Sequence, residues 1–382
     1  MRIYVLPISG GAFPVQLGLL AELLTHSRCP DNNSVPCKPD IVMGSSGGNI
    51  ASYLTMAAEW DPEKVREIVG RLNSGMFAVS WWPRGLTWLP SVMIGYFKGS
   101  IYASGTGAIE LFKECFTPQP NPDPTQQPKK CANVTDVELW VGTFNRTANK
   151  GQIFCNRAKE QCKIRGSDQD LTMSYWTRDI LPLTYLNGNV DIISQVALAS
   201  AAVPVMVEAK VIGDSEYIDG GTVFSSPLTP LQDNIRSLAE SNPVHIDYIS
   251  SFDMDVAGPV TYGTIYANSA NTIADLVKTV CIQDRIVAIE LLRKYPTSRI
   301  RRADYDGNER NLRFIEEIRK TSPLSILELY PLRNEAIDLL KFKPADILAI
   351  MDNARKNYGL RFWYITPGQQ GESLRESRIG DV

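Results

Sequence analysis

The sequence predicts an α/β fold in which helices flank a mainly parallel sheet. The first observation is an apolar, strand-like run over residues 3–8 that ends at Ser9-Gly10-Gly11. The second is a short strand over residues 40–43 that ends at Gly44 and leads into a helix. The third is that strand-like and helix-like segments alternate as far as residue 358. Strands that alternate with helices pair in parallel, because each helix carries the chain back across the sheet.

Both glycine turns lead into amphipathic helices. After the first turn, apolar residues recur at helical spacing at Leu17, Leu20, Ala21 and Leu24. After the second turn, a helix opens at Ser46-Gly47-Gly48 and carries Ile50, Leu54 and Ala57 on one side. This spacing is typical of a helix that packs one face on a sheet. Two strand–turn–helix units in succession therefore predict a parallel sheet with flanking helices.

The remaining elements fit the same architecture. Segments 137–144 and 152–154 are predicted to be strands joined by a hairpin at Asn149-Lys150-Gly151. A helix over 191–202 is predicted to stop before Pro204, because proline cannot continue a helix. The last predicted elements are a strand at 244–250, a helix at about 272–293, a strand at 326–329 and a helix at 344–358.

Composition excludes several classes of protein. The net charge is -3 and no long Lys/Arg run occurs, so no nucleic-acid partner is expected, and Ile300-Arg301-Arg302 is predicted to be a solvated surface element. No apolar run approaches the roughly 18 residues of a transmembrane helix. The apolar run at the N-terminus is too short for a signal peptide, so we expect a cytoplasmic protein. With two histidines and no zinc-type cysteine spacing, neither a metal nor a cofactor is expected.

Six of the seven cysteines fall in local pairs that bracket polar loops. The pairs are Cys29/Cys37, Cys115/Cys131 and Cys155/Cys162, and Cys281 is left over. Local pairs suit disulfides in an oxidising compartment, whereas a cytoplasmic protein keeps its thiols reduced. The sequence leaves both states open and favours thiols.

Residues 1–367 are predicted to form one domain, followed by a polar tail over 368–382. A Pro-rich surface loop occupies 117–130, because closely spaced prolines form neither helices nor sheet ladders. An aromatic insertion at about 76–104 contains Trp81, Trp82, Trp88, Tyr96 and Phe97. It is interpreted either as a packed, lid-like irregular segment or as a flap that lies on a lipid surface, since Trp and Tyr favour the water–membrane boundary.

The strongest chemical motif is Gly44-Ser45-Ser46-Gly47-Gly48, which matches G-x-S-x-G. Small residues on both sides of Ser46 allow a sharp strand-to-helix turn that exposes the serine at the carboxyl edge of the sheet. There the following N–H and the helix N-terminus can stabilise an oxyanion. Ser46 is therefore the candidate nucleophile, and an ordinary Ser/Gly turn is the alternative.

The first glycine turn lies upstream of this serine and also joins a strand to a helix. Its backbone N–H groups at Gly10 and Gly11 are candidate oxyanion donors. The alternatives are a turn that permits close packing or a phosphate-binding loop. The sequence there fits neither G-x-G-x-x-G nor the Walker pattern.

The candidate base is Asp219, which is followed by Gly220 and Gly221 at a predicted strand end. A carboxylate within hydrogen-bond reach of a hydroxyl can accept its proton. The alternatives are an ordinary Asp-Gly turn, or a triad that uses His26 or His245. The order Ser46, Asp219, His245 formally matches an α/β-hydrolase, but in that fold the nucleophile elbow follows several strands, and here it follows one or two.

Taken together, these motifs resemble those of the patatin-like phospholipases. Gly44-Ser45-Ser46-Gly47-Gly48 is similar to the family's G-T-S-x-G-G elbow, and Asp219-Gly220-Gly221 to its D-G-G motif. Ala199-Ser200-Ala201-Ala202-Val203-Pro204 is similar to the helix end that precedes D-G-G. Gly10-Gly11, with the residues 16–20 after it, resembles the oxyanion loop and first helix. The resemblance runs from residue 3 to about 228 and extends to 359 through the closing strand and helix.

The resemblance implies a three-layer α/β/α sandwich with a Ser46–Asp219 dyad and an oxyanion hole formed by Gly10, Gly11 and Gly47, with Gly44 and Gly48 shaping the elbow. It further implies a phospholipase A or lysophospholipase-type esterase that uses an acyl-enzyme, acts on lipid esters at a membrane or micelle surface, and needs no cofactor or metal. The alternatives are a catalytically silent lipid-binding protein on this fold, or a peptidase or thioesterase with the same dyad.

The sequence departs from the family pattern at two places. Ser9 replaces a glycine of the oxyanion loop, and Ala12-Phe13 stand where the family has a basic residue. After D-G-G, Ser225-Ser226-Pro227 occupies the stretch where an asparagine often precedes a proline. The first departure leaves the backbone N–H groups to stabilise an oxyanion.

Overall fold

The structure is a computed structural model that describes residues 1–26, 28–29, 32–36, 38–73, 76, 100–103, 105–117, 131–164, 180–203, 205–255, 267–293, 299–337 and 342–366. Most of the aromatic insertion, the Pro-rich loop after Thr117, Cys37 and the tail lie outside these ranges.

The strands of the described ranges are numbered in chain order. They are β1 Arg2–Leu6, β2 Arg28–Cys29, β3 Asn32–Pro36, β4 Ile41–Ser45, β5 Ser100–Ala103, β6 Glu138–Asn145, β7 Lys150–Cys155, β8 Thr184–Tyr185, β9 Val205–Val207, β10 Lys210–Ile212, β11 Ser215–Asp219, β12 Val244–Ile249, β13 Arg299–Asp306, β14 Leu324–Pro331 and β15 Tyr358–Thr366.

The helices are numbered in the same way. They are α1 Phe13–His26, α2 Ser46–Ala57, α3 Pro62–Val69, α4 Thr106–Phe116, α5 Val190–Ser200, α6 Gln232–Ser241, α7 Ala267–Arg293, α8 Glu309–Arg319 and α9 Pro344–Lys356. Short 3-10 turns lie at Gly10–Ala12, Lys159–Gln161 and Gly220–Thr222.

The strands of the central sheet are hydrogen-bonded in the succession β10-β11-β6-β4-β1-β12-β14-β15-β13, in which β11 and β4 pair with different parts of β6. Strand β7 also pairs with β6, and β8 pairs with β7. The middle strands, from β6 to β14, pair in parallel. The outer strands β11, β10, β15 and β13 pair antiparallel. Because β1, β4, β6, β12 and β14 are parallel, their carboxyl ends meet at one edge of the sheet, where ligands bind in open α/β folds.

Two apolar clusters cover the two faces of this sheet. One cluster includes Leu20 of α1, Leu54 of α2 and Met351 of α9. The other includes Ile235 of α6 and Leu292 of α7. The prediction of an α/β fold with a mainly parallel sheet between helical layers is confirmed. None of the helices in the described ranges combines the length and apolar character that crossing a membrane requires.

The cysteines whose side chains the structure describes are thiols, namely Cys115, Cys131, Cys155, Cys162 and Cys281. The Sγ atoms of Cys155 and Cys162 are 3.3 Å apart. Cys29 and Cys37 belong to a pair whose side chains are outside the description. The predicted surface element Ile300-Arg301-Arg302 is exposed and lies on the edge strand β13.

Candidate active site

Strand β6 brings the ends of two distant strands together. Strand β4 runs parallel to β6 and ends with Ser45 opposite Gly142. Strand β11 runs antiparallel and ends with Asp219 opposite Thr143, the next position along β6. Both lie on the same side of β6, because β7 occupies the other side at these two positions. The residue after β4 and the last residue of β11 therefore meet at one point of the sheet edge.

The turn at Ser46 has the geometry of a nucleophile elbow. Ser46 is the first residue of α2, and its φ of 54° places it in the left-handed region that non-glycine residues rarely adopt. The turn is tight because glycine follows: a Cβ at Gly48 would overlap the carbonyl oxygens of Leu6 and Pro7. The small residues of the motif thus allow α2 to start directly against the end of β1.

Ser46 and Asp219 are in direct contact. Ser46 Oγ donates a hydrogen bond of 2.6 Å to Asp219 Oδ2. The other carboxyl oxygen, Oδ1, accepts a 2.7 Å hydrogen bond from the N–H of Gly221. Both side chains are buried, and no Lys or Arg in the described ranges forms an ion pair with Asp219. Burial therefore raises the pKa of Asp219 to about 7, while the hydrogen bonds from Ser46 and Gly221 act to lower it.

The glycine loop after β1 touches the elbow. Residues Gly10–Ala12 form a 3-10 turn, and Gly10 has a φ of 51° that favours glycine. A Cβ at Gly47 would overlap Ser9 Oγ and the carbonyl oxygen of Gly10. The N–H groups of Gly10, Gly11 and Gly47 belong to first turns of helices, where no carbonyl of the same helix can accept them. The predicted oxyanion donors thus lie beside the serine.

Other elements hold the glycine loop in place. Gln16 Nε2 of α1 donates to the carbonyl oxygens of Pro7, at 2.9 Å, and Ile249, at 3.0 Å. The N–H of Ile8 donates to the carbonyl of Ser225. The N–H of Ile337 donates to the carbonyl of Gly11, at 2.9 Å. Gln16 is not among the residues predicted for the site, although a glutamine within the apolar run of a buried helix is a signal for such a role.

Ser9 also lies inside this contact between loop and elbow. Its hydroxyl is buried and forms no hydrogen bond within the described part of the chain. Its backbone has a φ of -141°, which any residue adopts. Replacement of a glycine by serine at this position therefore introduces no backbone strain.

Both histidines lie away from the dyad. His26 contacts Glu22 in the last turn of α1, at 2.9 Å. His245 lies opposite Arg2 in the register of β12 and β1, at the amino-terminal edge of the sheet, and its Nδ1 is 3.0 Å from Ser325 Oγ. Ser46 lies at the opposite, carboxyl edge. Burial, followed by the positive charge of Arg319, lowers the pKa of His245 to about 3. The geometry therefore joins Asp219, and not a histidine, to Ser46.

Within the described ranges, no group of three or more His, Cys, Asp or Glu side chains has an arrangement that could hold a metal ion. The polar atoms gathered around Ser46 are a carboxyl group, a hydroxyl and backbone N–H groups, together with the N-terminus of α2. This set can remove a proton from a hydroxyl and stabilise a negative oxygen.

A family model described as patatin-like phospholipase matches residues 8–231, which is more than half of the 382 residues. The matched stretch starts just before the glycine loop and ends after Asp219, so it contains Ser46, Asp219 and the glycines of the loop and the elbow. It does not include β12 to β15. No curated protein matches the chain.

Proposed function

Since the chain belongs to the patatin-like phospholipase family, we propose that it hydrolyses lipid esters with Ser46 as nucleophile and Asp219 as general base. The observation that carries the proposal is the 2.6 Å hydrogen bond from Ser46 Oγ to Asp219 Oδ2 at the start of α2. A nucleophile and a base within this distance satisfy the geometric requirement for proton transfer.

The first half of the reaction forms an acyl-enzyme. Asp219 accepts the proton of the Ser46 hydroxyl while Oγ attacks the carbonyl carbon of the ester. The tetrahedral intermediate then collapses, the C–O bond to the alcohol breaks, and protonated Asp219 returns its proton to the leaving oxygen. In the second half, Asp219 takes a proton from water, and the hydroxide attacks the acyl carbon. Ser46 is then released with that proton, and the fatty acid leaves.

The raised pKa of Asp219 suits this role. An ordinary aspartate, with a pKa near 3.8, is a weak base, whereas a carboxylate whose pKa is about 7 accepts a proton more readily. A carboxyl group with this pKa is also partly protonated near neutral pH, so it is available as a general acid. A pKa near the working pH therefore serves both directions of proton transfer.

The oxyanion would be stabilised by backbone groups. Gly47 is the second residue of α2, Gly10 packs against it and Gly11 follows in the same turn, so their N–H groups are the candidate donors, and the N-terminus of α2 adds a favourable dipole. The absence of a basic residue at Ala12-Phe13 means that this stabilisation depends on neutral donors. Loss of a single oxyanion donor typically costs about 100-fold to 1,000-fold in kcat.

The proposal is tested by hydrolysis of a soluble chromogenic ester, a phospholipid and a lysophospholipid. Ser46→Ala and Asp219→Ala are each expected to lower kcat by at least about 1,000-fold on every substrate that the wild type cleaves. Mass spectrometry of the lipid products identifies which ester bond is broken. Labelling by a fluorophosphonate, which reacts with activated serines, is expected at Ser46 alone.

Ser52→Ala is the matched control. Ser52 is a buried serine of the same helix, and its Oγ donates to the carbonyl of Gly48 without contacting Asp219. We expect its activity to stay near that of the wild type. If the wild type is no faster than Ser46→Ala on every ester tested, the enzymatic proposal fails, and the alternative of a catalytically silent lipid-binding protein on this fold is favoured.

A further inference from the structure

Helix α5 makes a polar contact with α2 at each turn. The two helices run antiparallel, and the contacting positions are spaced three or four residues apart in both. The three contacts are Ser46 N–H to Ser200 Oγ at 3.0 Å, Asn49 Nδ2 to the Ala197 carbonyl at 2.9 Å, and Tyr53 OH with Ser194 Oγ at 2.8 Å. All of these residues are buried. In a buried interface such contacts specify one relative position of the helices.

Ser200 lies at the end of this interface that contacts Ser46. Its Oγ accepts the backbone N–H of Ser46 and donates a 2.6 Å hydrogen bond to the carbonyl of Gly142 on β6. Gly142 is the residue opposite Ser45 at the end of β4. One fully buried hydroxyl therefore connects the strained backbone of Ser46 to the strand that aligns both halves of the dyad.

The same end of α5 also holds Asp219. The N–H of Asp219 donates to the carbonyl of Ala202, at 3.0 Å, two residues after Ser200. The backbones of Ser46 and Asp219 are thus both bound by residues 200–202. The 2.6 Å separation of Ser46 Oγ and Asp219 Oδ2 depends on this short segment as well as on β6.

We propose that Ser200 is a positioning residue, which holds the Ser46 backbone so that Oγ stays within proton-transfer distance of Asp219. The inference rests on the proposed Ser46–Asp219 chemistry. Ser200 has no proposed contact with the substrate. Its hydroxyl accepts a hydrogen bond from the N–H of Ser46, which is the first residue of α2 and so has no carbonyl partner in its own helix. Its removal leaves that N–H and the Gly142 carbonyl without this partner in a buried site.

A positioning role and a purely structural role differ in what they change. A structural role lowers the unfolding temperature and leaves the folded enzyme with normal kinetics. A positioning role lowers kcat and the rate of serine modification, because Oγ is less often in the reactive geometry, and it leaves KM nearly unchanged. A displacement of about 1 Å can cost about 100-fold in rate.

The test compares Ser200→Ala with Ser52→Ala, since each variant removes one buried hydroxyl that is hydrogen-bonded to the backbone of α2. For each variant, kcat and KM on a soluble ester, the second-order rate of fluorophosphonate labelling and the thermal unfolding temperature are measured. For Ser200→Ala we expect kcat and labelling to fall about 10-fold to 100-fold, with KM within about 2-fold of wild type. Ser52→Ala is expected to keep wild-type kinetics.

The inference is wrong if folded Ser200→Ala labels and turns over as fast as Ser52→Ala. If Ser200→Ala does not fold, Ser200→Cys replaces it, because a thiol is a weaker acceptor of similar size. Wild-type kcat in folded Ser200→Cys would then also overturn the inference. A wild-type protein that neither cleaves esters nor labels would instead refute the proposed function itself.

Discussion

Replacement of the proposed base is expected to make the protein more stable at alkaline pH while it abolishes activity. Asp219 is 4% exposed, and the hydroxyl of Ser46 and the N–H of Gly221, its hydrogen-bond donors, are neutral. Burial raises its pKa to about 7, so the folded protein favours the protonated carboxyl group. In Asp219→Asn, the amide has nearly the same shape and no charge. Its oxygen can accept from Gly221, and its NH2 group can donate to Ser46 Oγ.

The sign of the effect follows from proton binding. The unfolded chain ionises Asp219 near its ordinary pKa of 3.8, and the folded chain ionises it near pH 7. Between these values the folded state binds more protons, so this group makes the wild type less stable as pH rises, and the loss is complete above about pH 7. At about 1.4 kcal/mol for each tenfold change in proton affinity, the full loss is about 4 kcal/mol.

About 3 kcal/mol of this loss falls between about pH 5 and pH 8.5. Urea unfolding of the wild type and Asp219→Asn at these two pH values measures it, because the contributions of other titrating groups cancel in the difference. We expect the stability advantage of Asp219→Asn to widen by about 3 kcal/mol at the higher pH. Ser46→Ala is the control, since it is expected to be inactive and keeps the carboxyl group. Because it lacks the Ser46 hydrogen bond that lowers the pKa of Asp219, its stability should fall with pH at least as steeply as that of the wild type. An advantage that is equal at both pH values would refute the reasoning that burial raises this pKa.

Three further predictions concern the same region and its surroundings. The value of kcat/KM should rise about tenfold per pH unit and level off above about pH 7, as the carboxyl group of Asp219 ionises; a pH-independent rate between pH 5 and 8 would exclude it as the base. Gly47→Ala should lose at least about 100-fold in kcat, because its Cβ would push Ser9 and Gly10 away from the elbow, while Gly70→Ala, on ordinary helical backbone, should keep full activity. Oxidation by diamide should join the thiols of Cys155 and Cys162, whose Sγ atoms are 3.3 Å apart, with both hydrogens passing to the reagent; peptide mapping that finds these residues only as thiols would contradict this.

Local patterns in the sequence were sufficient to predict the site residues as candidates. Ser46 could be inferred from turn geometry, because a strand, a glycine-rich turn and a helix follow one another over a dozen residues. Asp219 was inferred from its two following glycines, from the poor placement of the histidines and from the family resemblance. Their contact could not be derived locally, since it depends on the register of two strands against Gly142 and Thr143 of β6.

Two strands of the sheet, β13 and β15, are not predicted from the sequence, and each omission has a physical reason. Strand β13 has the sequence Arg-Ile-Arg-Arg-Ala-Asp-Tyr-Asp, which is too polar to indicate a strand, and it is stabilised by pairing along its whole length with β15. Strand β15 follows directly after α9, with a single intervening residue, Asn357, and so no turn signal separates it from the helix. The role of Ser200 was also missed, because a serine near a helix end is common, and its partners lie more than 50 residues away.

Strands β4 and β11 lie end to end along β6, and this arrangement affects which changes of sequence the site can tolerate. Because Ser46 and Asp219 are aligned by β6, their separation does not depend on the length of the segments that connect the three strands. The entropic cost of a longer loop grows only with the logarithm of its length. Insertions between these strands can therefore reshape the surroundings of Ser46 and Asp219 while the two side chains stay in contact.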